Sequence, residues 1–150
     1  LITVPLQIVE FYLILAAVTI VSVRVFWKLL IASLVMLIGG YLGEVGYVDA
    51  TIGFILGMAG WLYIIFEIFK GEASKVNASS GNLASQKAFK TIRLIVTFGW
   101  AIYPIGYFLA YLGGGTNDSE TLNIVYNLAD LVNKAAFGLA IWVAAISDSE

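Results

Sequence analysis

Lys134 is the residue that most needs an explanation. It stands in an apolar stretch, Leu122–Ile146, twelve residues from either end. At 1.5 Å per residue that is about 18 Å from each end, the middle of a bilayer. A lysine at that depth costs about 2.5–3.5 kcal/mol on insertion scales, so a function is expected of it. Asp130 lies four residues earlier, on the same helical face. Asn127 and Asn123 extend that stripe one way, and Phe137, Gly138 and Ile141 extend it the other. The pattern predicts a hydrated half on one side of Lys134 and a dry half on the other. A neutral buried amine condenses with an aldehyde to form a Schiff base, and Asp130 is spaced to be its counterion. The alternative is a structural Lys–Asp pair that fixes helix packing.

Glu10 is the second deep charge. Its neighbours are Leu6, Phe11, Leu13 and Ile14, and no basic residue is within helical reach. Such a carboxyl is expected to stay protonated at rest, which makes it a candidate proton donor or a neutral acid bonded to backbone. Gln7 and Thr3 lie at i−3 and i−7 from it and extend a polar track towards the level of Lys134. Trp100, Tyr103, Pro104 and Tyr107 form one aromatic face near the middle of another apolar stretch. Trp61 stands at mid-depth in a third, with Phe54 at i−7. Membrane tryptophans usually sit at the interfaces, so two at mid-depth beside a buried lysine point to a flat apolar ligand between them. Pro104 cannot donate to the Trp100 carbonyl and is expected to kink its helix. Gly39, Gly43, Gly53, Gly57 and Gly60 read as sites of close helix approach.

These residues need membrane-spanning helices to carry them. Of 150 residues, 61% are hydrophobic and 12% charged, against roughly a quarter charged in soluble domains. The mean hydropathy is +0.94. The chain therefore reads as an all-α membrane protein and a single domain over residues 1–150. Five apolar stretches are expected as transmembrane helices: Leu1–Ser22, Phe26–Gly43, Ala50–Phe69, Ala88–Leu112 and Leu122–Ile146. Gly71–Lys87 and Gly113–Glu120 read as loops. Leu1 already lies inside an apolar run without flanking charge, so the chain is expected to be a fragment starting within a helix, and five is a lower bound.

With no cysteine and no histidine, a disulfide framework, a thiol nucleophile, a zinc site and a histidine triad are excluded. No metal site is expected. A net charge of −2 argues against nucleic acid as a partner. No nucleophile–base constellation suggests an enzyme. Seven of the eight basic residues flank two junctions: Arg24 and Lys28, then Lys70, Lys75, Lys87, Lys90 and Arg93. The other two junctions hold only acids: Glu44 and Asp49, then Asp118 and Glu120. By the positive-inside rule the basic junctions and the C-terminus are cytoplasmic.

Four motifs carry a resemblance to a known family: Thr3-Val-Pro-Leu-Gln-Ile-Val-Glu10, Gly60-Trp-Leu-Tyr63, Gly99-Trp-Ala-Ile-Tyr-Pro104 and Leu128-Ala-Asp-Leu-Val-Asn-Lys134. Across essentially all 150 residues the chain resembles the proteorhodopsins, microbial type I rhodopsins, and among them the blue-absorbing type. The resemblance runs from the middle of the third helix to past the seventh of a seven-helix bundle, with the N-terminal helices missing. It implies that Lys134 binds all-trans-retinal as a Schiff base and that Asp130 belongs to the counterion complex. It implies a retinal pocket of Trp61, Trp100, Tyr103, Pro104 and Tyr107. Glu10 matches the cytoplasmic proton donor. Thr3 and Glu10 match two positions of the family's Asp-Thr-Glu pump motif, and the acceptor Asp falls two positions before Leu1. Gln7 matches the spectral-tuning position, where Gln goes with blue absorption and Leu with green.

The function expected from residues and resemblance together is a light-driven pump that exports H⁺ from the cytoplasm. The expected setting is the inner (plasma) membrane of a bacterium, with the lipid bilayer as partner and a homo-oligomer, pentamer or hexamer, as the assembly. The alternatives are a sensory rhodopsin signalling through a partner, a light-driven pump for another ion, and a retinal-free transporter in which Lys134–Asp130 couples ions.

Overall fold

Apolar length decides the architecture, because a chain in hydrocarbon must satisfy its backbone internally, and a helix does so. The computed structural model describes residues 2–112 and 119–149, all helical apart from short connections. The elements are α1 (Thr3–Val18), α2 (Val23–Glu44), α3 (Ala50–Phe69), α4 (Glu72–Ser79), α5 (Leu83–Leu94), α6 (Ile102–Tyr107) and α7 (Ser119–Ser149). π-Helical segments, Ile95–Gly99 and Phe108–Leu112, precede and follow α6. Four helical units are long and apolar enough to cross a membrane: Val23–Glu44, Ala50–Ser79, Leu83–Leu112 and Leu122–Ser149. α1, with 16 residues, is shorter than these four.

One expected loop is a helix. The polarity of Gly71–Lys87 predicts a loop, but α4 and the start of α5 occupy most of it. The buried carboxylate of Glu67 explains why α4 can start there. Its Oε1 accepts from the backbone N–H of Glu72 at 2.9 Å and of Ala73 at 3.2 Å, satisfying donors that a helix start leaves open. Lys28 Nζ bonds Glu72 Oε2 at 3.0 Å and lies 3.8 Å from Glu67 Oε1, so α2 is tied to the same corner. Asn82 Oδ1 caps α5 by accepting from Ser85 N–H at 2.8 Å. The true turn is only a few residues, around Gly81 with φ +71°. The other expected loop, Gly113–Glu120, falls at 113–118 outside the described residues.

α2 and α3 pack most closely. A methyl group on Gly53 would lie 2.6 Å from the Cα of Gly43 and 2.9 Å from the Gly39 carbonyl oxygen, so only glycine fits. The outward faces carry Trp27, Ile31, Leu62, Phe66, Leu131 and Trp142, each more than half exposed, as suits helices whose solvent is lipid. The buried core lies towards the end of the bundle that carries Arg24, Lys70 and Arg93. There Ile8, Phe11 and Leu15 of α1 meet Leu29, Ile64, Ile68, Phe89, Ile92, Val96 and Phe137. Phe11 stands edge-on to Phe89, with centroids 5.1 Å apart, and to Phe137, at 6.1 Å.

Candidate functional site

Lys134 and Asp130 come together as their i, i+4 spacing requires. Lys134 Nζ donates to Asp130 Oδ2 at 2.5 Å. The other carboxylate oxygen, Oδ1, accepts from the hydroxyl of Tyr103 on α6. Asp130 is thus held from two elements, and a carboxylate so held keeps its charge directed at one amine. Tyr126 fixes Tyr103 in turn, its hydroxyl donating to the Tyr103 carbonyl at 2.8 Å.

This cluster borders a cavity of about 470 Å³, within the range of small-molecule sites. Its walls include Trp61, Trp100, Tyr103, Pro104, Tyr107, Phe54, Met36 and Met58, with Lys134 and Asp130 on one side and Thr3 on another. Trp100 is buried. Trp61 is oriented by its indole N–H, which donates to the Val96 carbonyl at 3.0 Å. The Tyr107 hydroxyl donates to the Ala50 carbonyl at 3.1 Å, and its ring stacks near Phe54 at 5.8 Å. Aromatic side chains line a slot with one amine, Lys134, paired to the Asp130 carboxylate, and Glu44 of α2 also stands in its wall. Such a slot suits an elongated apolar molecule bearing a single electrophilic carbon.

Most of the residues expected from sequence are gathered here. Thr3, Trp61, Trp100, Tyr103, Pro104, Tyr107, Asp130 and Lys134 all border the cavity. Gln7 is buried, but is not among the cavity residues. Glu10 is half-buried on α1 beside the Phe11 cluster, away from the cavity, and among the described residues its carboxyl has no hydrogen bond.

The stripe expected on α7 is only partly realised. Asn123 and Asn127 are exposed. The packed face of α7 centres on Tyr126, Asn133 and Phe137, about 100° around the helix from Asn127. The cause is steric: α7 lies against α5 and the first π-helical segment, so the large aromatic groups turn inward and Lys134 sits at the edge of the packed face. Sequence reasoning missed Tyr126, Asn133 and the cavity contribution of α2, which includes Gly40, Tyr41 and Glu44. The available signal was Tyr126 at i−4 from Asp130.

The helix around Pro104 departs from α-geometry as expected, but the departure begins earlier. Trp100 N–H bonds Ile95 O at 3.1 Å, and Tyr103 N–H bonds Trp100 O at 3.1 Å. The carbonyl that Pro104 cannot serve is therefore taken by Tyr103.

Comparison with known proteins follows the same geometry. Residues 1–148 match the family described as bacteriorhodopsin-like protein. The chain is 51% identical over 149 residues to a green-light absorbing proteorhodopsin of Gamma-proteobacterium EBAC31A08, covering 99% of this chain and 59% of that one. It is 51% identical over 150 residues to a blue-light absorbing proteorhodopsin of Gamma-proteobacterium Hot 75m4, with the same two coverages. The crystal structure of blue light-absorbing proteorhodopsin from Med12 is similar with a TM-score of 0.78 and 61% identity, over 98% of this chain and 64% of that one. Exiguobacterium sibiricum rhodopsin is similar with a TM-score of 0.82 and 31% identity, over 99% and 70%. The chain thus spans 59% of the length of the curated relatives it matches.

Proposed function

Starting from the fact that the chain belongs to the bacteriorhodopsin-like family, we propose that it serves a retinal-binding, light-driven pump that exports protons from the cytoplasm. The observation that carries this reading is the Lys134–Asp130–Tyr103 cluster at the edge of an aromatic slot. The residues fit the group: one amine to link an aldehyde, one carboxylate to balance a cationic nitrogen, and flat indole and phenol walls for a polyene. Bound all-trans-retinal supplies light absorption and a change of shape about one double bond. Everything else falls to the chain.

Lys134 Nζ is the attachment point and the atom at which the transported proton rests. Asp130, held by Tyr103, keeps that proton in place until the balance of charge changes. Trp100 and Trp61 confine the ligand, and Tyr107 and Pro104 complete the wall. Glu10 returns a proton to Nζ from the cytoplasmic side. The apolar packing of Phe11, Phe89 and Phe137 between the two levels supports a dry path, and a one-way cycle needs one because a pore open at both ends leaks. Gln7 tunes the colour: a polar group on that side favours the ground-state charge near Nζ, raises the excitation energy and gives blue absorption.

We extend the proposal to the setting. α1, its 16 residues reaching about 24 Å, adds a crossing to the four longer units and takes the place of the third helix in a seven-helix bundle. Arg24, Lys70 and Arg93 mark the cytoplasmic face, and the C-terminus lies on it. The membrane is the bacterial plasma membrane, and a ring of five or six copies is proposed on family resemblance alone.

The test is a visible absorption spectrum of the membrane-embedded protein after addition of all-trans-retinal, with Lys134→Ala beside it. A band that is lost in the variant is expected. A well-folded protein that stays colourless overturns the reading.

A further inference from the structure

In the π-helical segment Ile95–Gly99 the carbonyls of Val96 and Gly99 are among those without their usual partners. In an α-helix Val96 O would accept from Trp100 N–H, but that donor is taken by Ile95 O. Gly99 O would accept from Tyr103 N–H, but that donor is taken by Trp100 O. A carbonyl left open in a buried, low-dielectric place is costly, about 1–3 kcal/mol. Both vacancies are filled from other helices. Trp61 Nε1 of α3 donates to Val96 O at 3.0 Å. Asn133 Nδ2 of α7 donates to Gly99 O at 2.9 Å. Asn133 is buried, and its position in the chain joins two special neighbours, since it precedes Lys134 as Gly99 precedes Trp100.

We infer that Asn133 is a positioning residue: its amide clamps the Ile95–Gly99 segment in its five-residue register and so holds the dry half of the bundle closed at rest. The register of this segment sets the rotation of everything before it in α5. That part of α5 presents Phe89 and Ile92 to the packing around Phe11 and Phe137. Returning the segment to α-geometry removes the extra residue from the turn. It turns the Phe89–Ile92 face relative to α7 and loosens the packing between Glu10 and Lys134. A change in the backbone at Lys134 reaches Asn133 first, as the adjacent residue on the same helix. Weakening of the Asn133–Gly99 bond then lowers the cost of opening. The inference rests on the proposed pump reading for its functional consequence, but the clamp itself does not.

The experiment compares the wild-type chain with Asn133→Leu, which keeps the volume and removes the donor, in lipid membranes. Labelling glycine carbonyls with ¹³C and tryptophan with ¹⁵N marks two peptide pairs, Gly99–Trp100 and Gly60–Trp61. In dark solid-state NMR the Gly99 carbonyl resonance is expected to shift upfield in the variant while Gly60 stays as an internal control. After a flash, proton return to Nζ is expected to quicken about five- to tenfold with the visible band kept, because the closed state has lost one bond. Asn133→Ala serves if the Leu variant does not fold. An unmoved Gly99 resonance overturns the clamp. A shifted resonance with an unchanged or slower proton return overturns its role in closure. A wild-type protein with the clamp but no visible band instead sinks the retinal reading and leaves the clamp standing.

Discussion

At the scale of single residues, depth and pairing separate the charges proposed to do chemistry from those that mark a surface. Glu10 is the clearest case. Its carboxyl lies beside the Phe11 cluster, and among the described residues it has no hydrogen bond that would hold its proton in place. With no donor to stabilise its anion, the carboxyl keeps its proton at rest and gives it up only when a stronger base is presented to it. Glu10→Gln keeps the shape and removes the acid. Proton return to Lys134 Nζ is expected to slow at least about a hundredfold in flash photolysis, the low end of what a positioned acid contributes. An unchanged rate would remove Glu10 from the path. Lys134 and Asp130 were legible from sequence because a charge at mid-membrane carries a penalty that random substitution does not sustain. Asn133 was not legible. An amide attracts no such penalty, and its partner is a carbonyl opened by a register shift that no residue type announces. Asn123 and Asn127 share the spacing of Lys134 but lie outside the face on which α7 packs.

At the scale of elements, the long helices follow from apolar length, and α3 was expected at Ala50–Phe69, the bounds observed. The polar connection after it was harder. Gly71–Lys87 is rich in small polar residues, which favour turns when nothing else acts. What acts here is Glu67, a residue outside the segment and two positions before the end of the preceding helix. Its buried carboxylate gathers the first N–H groups of α4 and faces Lys28 of α2. Replacing it by leucine leaves Glu72 N–H and Ala73 N–H without that acceptor. Glu67→Leu is expected to lower stability by about 0.5–2 kcal/mol, the usual range for a lost cap. The fall should appear in thermal unfolding. It should be accompanied by faster hydrogen exchange at the Glu72 and Ala73 amides. A stability loss without that local exchange would mean that the cap is not its cause.

At the scale of the whole molecule, the two ends of the bundle differ in kind. Around Lys134 and towards Glu44 there is a cavity with tyrosine hydroxyls and a carboxylate pair. Towards Arg24 and Arg93 there is closely packed hydrocarbon, centred on Phe11, Phe89 and Phe137. This asymmetry has an electrical consequence. A transmembrane voltage falls mainly where the material is least polarisable, so most of it drops across the phenylalanine packing and little across the tyrosine-lined side. One charge crossing the full field meets about 2.3 kcal/mol per 100 mV. In a voltage-clamped membrane, an inside-negative potential of that size should therefore slow proton return from the cytoplasmic side by up to roughly fiftyfold. Proton release on the other side should barely respond. In the proposed pump, the apolar packing would then act as a load sensor, slowing the cycle as the potential builds up.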